Sequence, residues 1–239
     1  MLTVHHYARV KVKRLHDLLQ QGAFDSLVKL PTPSELHAAT QSFERDWAGV
    51  DRVLYDLCKK HKDHADRTHV VAKLVLIDRG YAAGLERCVS PPKGTQAISV
   101  IADFVLTHGA DIDEILASLS PISEPLTVAE METIVLAHAR LLRLLRGIPT
   151  NGRTPRSFAS KYLHFHHPVV PIYDDYACRG LTRMVRWDSK QVPLSAPAEH
   201  DDEYFKFCVR FWRLYDACLQ AGRAVTVKTL DHFLWQMGT

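Results

Sequence analysis

Most of the sequence consists of segments in which apolar residues recur every three or four positions, the spacing of one face of an α-helix. Residues 32–35, TPSE, form a capping box with proline at the first helical position, and residues 127–130, TVAE, form a second capping box. Alternation of apolar and polar residues, which predicts β-strands, is not convincing anywhere. The segment 169–173 is β-branched, but it is short and contains proline. We therefore predict an all-α fold.

The two capped segments have clear apolar faces. In the first, the face consists of Leu36, Ala39, Phe43, Trp47, Val50, Leu54 and Leu57. In the second, it consists of Met131, Ile134, His138, Leu141 and Leu145. Further helices are predicted near 68–86, 97–108, 111–119, 156–166, 174–186, 202–220 and 226–237.

About ten helices follow from these patterns, in one or two lobes. We expect a single unit over residues 1–239. If it divides, the proline-rich breaks place an N-terminal lobe at about 1–120 and a second lobe at about 121–239. A cleft between two such lobes is the expected place for a binding site.

The composition limits the class of protein. Hydrophobic residues make up 46% and charged residues 24%, which is ordinary for a globular chain. With 30 Lys and Arg against 27 Asp and Glu, the net charge of +3 allows a nucleic-acid partner without requiring one. The sequence has no apolar run of membrane-spanning length, no secretory signal and no CxxC pair among its five cysteines. We expect a cytoplasmic protein with reduced cysteines, no membrane association and no cofactor.

The segment 157–175, SFASKYLHFHHPVVPIYDD, has an unusual distribution of charge. A turn is predicted at 152–155 and a helix at 156–165. The helix stops at 167–168, because proline disfavours helical geometry in the residue before it. An ammonium group in the helix and two carboxylates after the following extended stretch therefore lie at the two ends of one short apolar segment.

Each of these charged residues also has a purely structural interpretation. Lys161 could extend from a half-buried helix to solvent. Asp174 stands where the next helix begins, and a carboxylate there caps the helix and interacts favourably with its dipole. Asp175 takes the role of Asp174 if the register differs by one residue.

The order of these features resembles the helix–hairpin–helix DNA glycosylases, the superfamily of 8-oxoguanine glycosylase and endonuclease III. The resemblance covers about residues 147–180 and implies that Lys161 is the nucleophile and Asp174 the essential catalytic carboxylate. It further implies that a glycine-bearing hairpin and a basic residue five positions after the aspartate bind the DNA backbone. In this sequence, those DNA-binding residues are Gly152, Arg153, Thr154, Arg156 and Arg179.

The chemistry is consistent with these residue types. Lysine is a nucleophile only when neutral, and desolvation by neighbouring apolar side chains favours the neutral form. Breaking an N-glycosidic bond develops positive charge on the sugar, which a fixed carboxylate stabilises. Attack by Lys161 on the sugar would give a Schiff base and strand scission, whereas Asp174 alone would give simple base removal.

Other residues in the chain have weaker functional interpretations. A metal site at His164, His166 and His167 lacks a nearby carboxylate or cysteine at ligand spacing, so we predict no metal. We expect the aromatic set of 204–215 to be core, and Phe233 and Trp235 to border a base pocket. A side chain from the region 76–81 or Arg87 could fill the gap left by an extruded base; the candidates are Arg79, Tyr81 and Arg87.

The resulting hypothesis is a DNA glycosylase, with β-lyase activity if Lys161 acts, that excises a damaged or modified base turned out of duplex DNA. Its alternatives are a non-catalytic nucleic-acid-binding module on the same scaffold and a helical protein-interaction scaffold. Oxidised purine is the default substrate. A bulky modified pyrimidine, and with it a role in antiviral defence, is open, as are the oligomeric state and the protein partners.

Overall fold

The computed structural model describes residues 28–148, 151–186 and 199–239. The regular secondary structure of these residues is helical. They contain nine α-helices, with a turn of π-helix at Leu76–Gly80 and a 3-10 turn at Glu86–Cys88. The α-helices are α1 (Pro33–Lys60), α2 (Arg67–Val75), α3 (Ala97–Thr107), α4 (Gly109–Ala117), α5 (Val128–Leu145), α6 (Arg156–His166), α7 (Asp175–Met184), α8 (Asp202–Gln220) and α9 (Val227–Gly238).

The prediction of an all-α fold is confirmed for the described residues. Both capping boxes form: the hydroxyls of Thr32 and Thr127 accept from the amides of Glu35 and Glu130. The segment 169–173 forms no strand, and Val28 and Val185 form an isolated antiparallel β-bridge. The division into two lobes stays a prediction.

The helix expected over 68–86 is shorter than predicted. It ends as α2 and continues as the π-helical turn Leu76–Gly80. The Asp78 carboxylate within this turn accepts hydrogen bonds from the backbone amides of Leu85 (2.5 Å) and Glu86 (3.0 Å). A buried carboxylate that binds amides further along the chain bends the backbone into a loop, which the apolar spacing alone does not reveal.

Buried apolar side chains from all nine helices form one core. The aromatic residues of α8 belong to it, as predicted; they are Tyr204, Phe205, Phe207, Phe211, Trp212 and Tyr215. The predicted face of α5 is also buried.

The predicted apolar face of α1 is wrong at one position. Val50 is 37% exposed, whereas the neighbouring Asp51 is buried. Asp51 is accommodated because it accepts a hydrogen bond from the hydroxyl of Tyr81 and pairs with Lys228. A buried charge with such partners replaces an apolar residue in the stripe.

Helices α7 and α9 pack with their backbones in contact. A Cβ atom at Gly180 would overlap the carbonyl oxygen of Leu234, and a Cβ atom at Gly238 would overlap that of Tyr176. Any residue other than glycine would force the two helices apart. The contact therefore fixes the separation of α7 from α9, two of the elements that enclose the cavity described below.

In the part of the chain that the structure describes, none of the helices combines the length and the apolar character needed to cross a bilayer.

Candidate active site

A cavity of about 490 Å³ lies between α1, the loop after the π-helical turn, α6, the start of α7 and α9. Its volume falls within the range of pockets that hold small organic ligands. Its walls combine aromatic rings with an unusual number of charged groups. We call it the acidic cavity, after its buried or half-buried carboxylates Asp51, Asp174 and Asp231. Two ammonium groups, Lys161 and Lys228, also line it, together with the exposed Asp175 and Arg87.

Lys161 projects from α6 into this cavity. Its side chain is only 7% exposed. The ammonium group donates a hydrogen bond to the carbonyl oxygen of Tyr81 (2.9 Å) and lies 3.5 Å from a carboxylate oxygen of Asp174. The lysine is therefore held at the cavity wall by one fixed acceptor and one ionic partner, and it does not extend to solvent.

Asp174 is the N-cap of α7. One of its carboxylate oxygens accepts a hydrogen bond from the amide of Ala177 (2.8 Å), and the other faces Lys161. The structural and functional interpretations of Asp174 are therefore compatible, because capping uses one carboxylate oxygen and leaves the other in the cavity. Asp175, the alternative if the register differed by one residue, is exposed and also borders the cavity.

A serine ties the extended segment before Asp174 to α6. The hydroxyl of Ser160 accepts from the amide of Tyr173 (3.0 Å) and donates to the carbonyl of Ser157 (3.0 Å). Because Ser160 adjoins Lys161 and Tyr173 adjoins Asp174, this bond fixes the distance between the backbones that carry the two charged groups. The sequence did not reveal this role of Ser160.

A second ion pair lies across the cavity. Lys228 of α9 is 2.8 Å from Asp51 of α1, and its ammonium group also lies 4.5 Å from the centre of the Tyr55 ring. The hydroxyl of Tyr81 donates to the same aspartate. Asp51 and Lys228 were not among the predicted site residues, although both line the cavity.

Asp231 is the third carboxylate of the cavity and was also missed. It is partly buried, and desolvation, reinforced by the charge of Asp174, raises the pKa of Asp231 well above its usual value. One face of α9 lines the cavity with four residues at helical spacing: Lys228, Asp231, His232 and Trp235. That spacing is visible in the sequence. The sequence does not show, however, which residues lie opposite this helix face, so it does not distinguish a face that lines a site from an ordinary exposed face.

Aromatic rings form much of the remaining wall. Phe43 stacks on the imidazole of His232 with ring centroids 4.0 Å apart, and Trp47 lies 5.5 Å from Tyr81. Trp235 lines the cavity, as predicted, whereas Phe233 is buried in the core. These rings offer faces on which a planar heterocycle could stack.

His164 completes the interior of the cavity as a neutral group. It donates from Nδ1 to the carbonyl of Val170 (2.7 Å) and accepts at Nε2 from the hydroxyl of Tyr55 (2.6 Å). Burial lowers the pKa of His164 to about 4, in agreement with this hydrogen-bonding pattern. The residue is therefore a paired structural histidine.

The predicted hairpin turn docks beside the cavity. Asn151 donates from its amide to the carbonyl of Cys88 (2.9 Å) and from its side chain to the carbonyl of Arg87 (2.8 Å), and Arg87 itself lines the cavity. Gly152 has a φ of +85°, a conformation that favours glycine. Arg153 and Thr154 are exposed. The turn therefore presents exposed residues, including Arg153, beside the part of the cavity wall that Arg87 forms.

The two remaining predicted DNA-binding arginines differ from each other. Arg156 pairs with Asp201 through two hydrogen bonds of 2.5 and 3.0 Å, so its guanidinium ties α6 to the start of α8. Arg179 is exposed and lies over the ring of Tyr176, 4.6 Å from its centroid. The geometry favours a structural role for Arg156 and leaves Arg179 accessible.

The residues considered for filling a DNA gap also differ. Arg79 is exposed but paired with Glu86 (2.6 Å), and Tyr81 points into the cavity toward Asp51. Arg87 is exposed and lines the cavity. Within the described ranges, no three His, Cys, Asp or Glu side chains converge as they would around a metal ion.

A second group of buried and half-buried polar residues lies on another face of α6. We call it the histidine cluster: His64, Lys73, Asp113, Tyr162 and His166. The hydroxyl of Tyr162 donates to Nε2 of His64 (2.6 Å), whose Nδ1 donates to Asp113 (2.5 Å). Tyr162 is buried, so this chain of hydrogen bonds is closed to solvent at that end.

Comparison of the chain with protein-family models, with curated proteins and with solved structures gives no match.

Proposed function

We propose that this protein is a DNA glycosylase with β-lyase activity, which excises a modified base through Lys161 and Asp174 on a fold of the helix–hairpin–helix type. One observation carries the proposal: the buried amine and the capping carboxylate face each other at 3.5 Å in the wall of a cavity large enough for a nucleobase. The turn between α5 and α6, with Gly152 in a left-handed conformation, takes the place of the hairpin.

Lys161 is the nucleophile in this mechanism. The bond from C1′ to the base breaks first. Lys161 then transfers one proton to Asp174, and its neutral nitrogen attacks C1′ of the extruded nucleotide. The carbonyl of Tyr81 keeps the nitrogen oriented, because it accepts one of the remaining N–H groups. The product is a covalent N,O-acetal. Its C1′–O4′ bond breaks as a proton moves from the attached nitrogen to O4′, which gives a Schiff base, and loss of a proton from C2′ then eliminates the 3′ phosphate.

Asp174 has two functions in this mechanism. Its free carboxylate oxygen stabilises positive charge on the sugar as the base departs, and it accepts the lysine proton. Its other oxygen stays bound to the amide of Ala177, which holds the carboxylate still during the reaction. A fixed charge needs little reorganisation in the transition state, and that is the main source of its effect.

The cavity walls suit a base that has left the duplex. Extrusion costs stacking energy, which contacts with aromatic side chains recover in part. Trp47, Tyr81 and Trp235 offer such contacts. The DNA backbone would be bound at the rim by exposed amides at Gly152 and by Arg153 and Arg179.

The test is an incision screen with a panel of duplexes. Each carries one modified base, beginning with 8-oxoguanine and extending to bulky modified pyrimidines, and each is incubated with and without subsequent alkali treatment. Wild-type protein should cut at least one duplex without alkali. Asp174→Asn should lower excision by about 10²- to 10⁴-fold while DNA affinity is retained. Lys161→Gln should abolish the complex trapped by borohydride.

The outcomes distinguish the alternatives. Duplex binding that weakens with salt, without excision of any base, would identify a non-catalytic nucleic-acid-binding module. The absence of DNA binding would identify a helical interaction scaffold. Full activity of both Asp174→Asn and Lys161→Gln on the same substrate would show that these residues do not perform the chemistry.

A further inference from the structure

Asp231 lies in the acidic cavity without an assigned role. Its carboxyl borders the same space as Lys161 and Asp174 and interacts electrostatically with both. The other two carboxylates have clear tasks, since Asp51 binds Lys228 and Tyr81, and Asp174 caps α7 and faces Lys161. Among the described residues, no hydrogen bond engages the side chain of Asp231.

The charges in the cavity make Asp231 the group most readily kept as a carboxylic acid. Apart from the exposed Asp175 and Arg87, the cavity holds three carboxylates and two ammonium groups. Lys161 faces Asp174 and Lys228 pairs with Asp51, so among the described residues Asp231 has no ammonium partner of its own. Desolvation and the neighbouring charge of Asp174 together raise the pKa of Asp231, while Lys161 and Lys228 only partly oppose this effect. A carboxyl group whose pKa is raised keeps its proton to higher pH and can donate it.

The remaining titratable groups around the cavity do not compete for this role. His164 is neutral and already hydrogen-bonded on both nitrogens. Desolvation lowers the pKa of His232 to about 4, so that imidazole is neutral at neutral pH and carries no extra proton to donate. Tyr81 gives its proton to the hydrogen bond with Asp51.

We propose that Asp231 is the general acid that protonates the departing base, in a division of labour with Asp174 as the acceptor of the lysine proton. The inference rests on the proposed glycosylase function and deepens it. Its geometric basis is a third, unengaged carboxyl in the cavity that holds the nucleophile.

The step balances in protons and electrons. The bond from C1′ to the base nitrogen breaks, and its electron pair stays on the base. The proton of the Asp231 carboxyl moves to a nitrogen or carbonyl oxygen of the base, which leaves as a neutral molecule. Lys161 supplies the electron pair for the new bond to C1′, and its proton passes to Asp174. Asp231 remains as a carboxylate, which solvent reprotonates when the free base leaves.

A substrate with an abasic site distinguishes protonation of the departing base from the other roles that Asp231 could have in the cavity. Base protonation matters only while a base is attached, whereas attack of Lys161 on an abasic sugar needs no acid for a departing base. The experiment measures two single-turnover rates for wild type and Asp231→Asn: excision from the 8-oxoguanine duplex, or from the panel duplex cut fastest, and borohydride trapping on a duplex with one abasic site.

The expected result is a selective defect. Asp231→Asn keeps the shape of the side chain but lacks a transferable proton, so base excision should fall by about 10²- to 10⁴-fold. Trapping on abasic DNA should be unchanged. Asp231→Glu, which retains a carboxyl group, should recover part of the excision rate, and the melting temperatures of both variants show whether they fold.

The opposite results overturn the inference in distinguishable ways. Equal excision by Asp231→Asn and wild type shows that Asp231 donates no proton in the reaction. Equal loss of excision and abasic trapping in folded Asp231→Asn shows that the residue positions Lys161 and is not the acid. A wild-type protein that excises no base overturns the proposed function, and the inference with it.

Discussion

The acidic cavity and the histidine cluster contact different faces of α6, and each contains a buried lysine. Lys73 of the histidine cluster is fully buried, donates to the carbonyl of Asp63 (3.2 Å) and has its pKa lowered by desolvation. Lys161 is slightly more accessible, pairs with a carboxylate and borders a cavity of about 490 Å³. Desolvation alone would select Lys73 as the more reactive amine.

The difference lies in what else each region offers. In the histidine cluster, Tyr162, His64 and Asp113 are linked in one chain of hydrogen bonds. A cavity of about 530 Å³ borders Asp113 and His166 of this cluster, but Lys73 does not line it. In the acidic cavity, carboxylates keep oxygens directed at open space. The two regions therefore differ in whether the buried amine borders open space: Lys161 lines its cavity, whereas Lys73 does not.

The sharpest test of this comparison exchanges the two lysines for glutamine. Lys161→Gln should lose the borohydride-trapped complex with abasic DNA entirely, because no amine remains in the cavity. Lys73→Gln is the matched control, and its trapping should equal that of wild type. Trapping that disappears in Lys73→Gln but persists in Lys161→Gln would exchange the roles assigned to the two regions.

The acidic cavity depends on the close approach of α7 and α9. Gly180→Ala introduces a Cβ atom against the carbonyl of Leu234 and should lower the free energy of unfolding by about 3 kcal/mol. Excision should fall as well, because the spacing of the cavity walls changes. Urea denaturation and single-turnover excision measure the two effects.

A glycine without this constraint provides the control. Gly49 lies inside α1 with open space around its Cβ position. Gly49→Ala should therefore stabilise the protein by about 0.5–1 kcal/mol through helix propensity. Equal destabilisation by the two substitutions would contradict the backbone contact.

Buried histidines in both regions make stability depend on pH. Burial lowers the pKa of His164 to about 4 and that of His166 well below its usual value. Between about pH 6.5 and 4, the unfolded chain binds protons that the folded protein excludes. The free energy of unfolding should therefore decrease as pH falls through this window, by about 1.4 kcal/mol per pH unit for each such histidine.

The measurement is urea denaturation at pH 7, 6 and 5. His166→Asn should reduce the slope of stability against pH, whereas the same change at His37, which is exposed on α1, should leave the slope as in wild type. An identical slope for wild type and His166→Asn would show that His166 is not excluded from protonation in the folded state.

The smallest expected effect concerns the closed chain of the histidine cluster. Tyr162→Phe removes the donor to His64 and should lower the free energy of unfolding by about 1 kcal/mol, with excision unchanged. Tyr176→Phe is the comparison for stability, since that ring is 40% exposed and should show no loss. A fall in excision in Tyr162→Phe at unchanged stability would place the cluster in the reaction.

The parts of the molecule whose structure depends on local sequence patterns could be predicted from the sequence. Capping boxes and apolar spacing gave the helices, and the lysine-to-aspartate segment gave two residues that the structure places 3.5 Å apart. The loop after Leu76–Gly80 was missed because it depends on Asp78 binding amides further along the chain. Asp51 was missed because a carboxylate in an apolar stripe breaks the pattern unless its distant partners are known.

Asp231 illustrates the same limit at the site. The face of α9 that carries it has helical spacing, but its function depends on residues of α1, α6 and α7 that meet it only in the folded chain. The predicted roles of Arg153 and Arg179 at the DNA backbone stay predictions, and Arg156 has an intramolecular partner in Asp201 that no local pattern indicated.

Two of the four tryptophans in the sequence, Trp47 and Trp235, stand in the wall of the acidic cavity. An indole whose face meets an incoming heterocycle loses emission by contact quenching, so occupancy of the cavity changes the intrinsic fluorescence of the protein. The binding of a planar ligand in the cavity can thus be followed in real time without any label on the ligand or the protein.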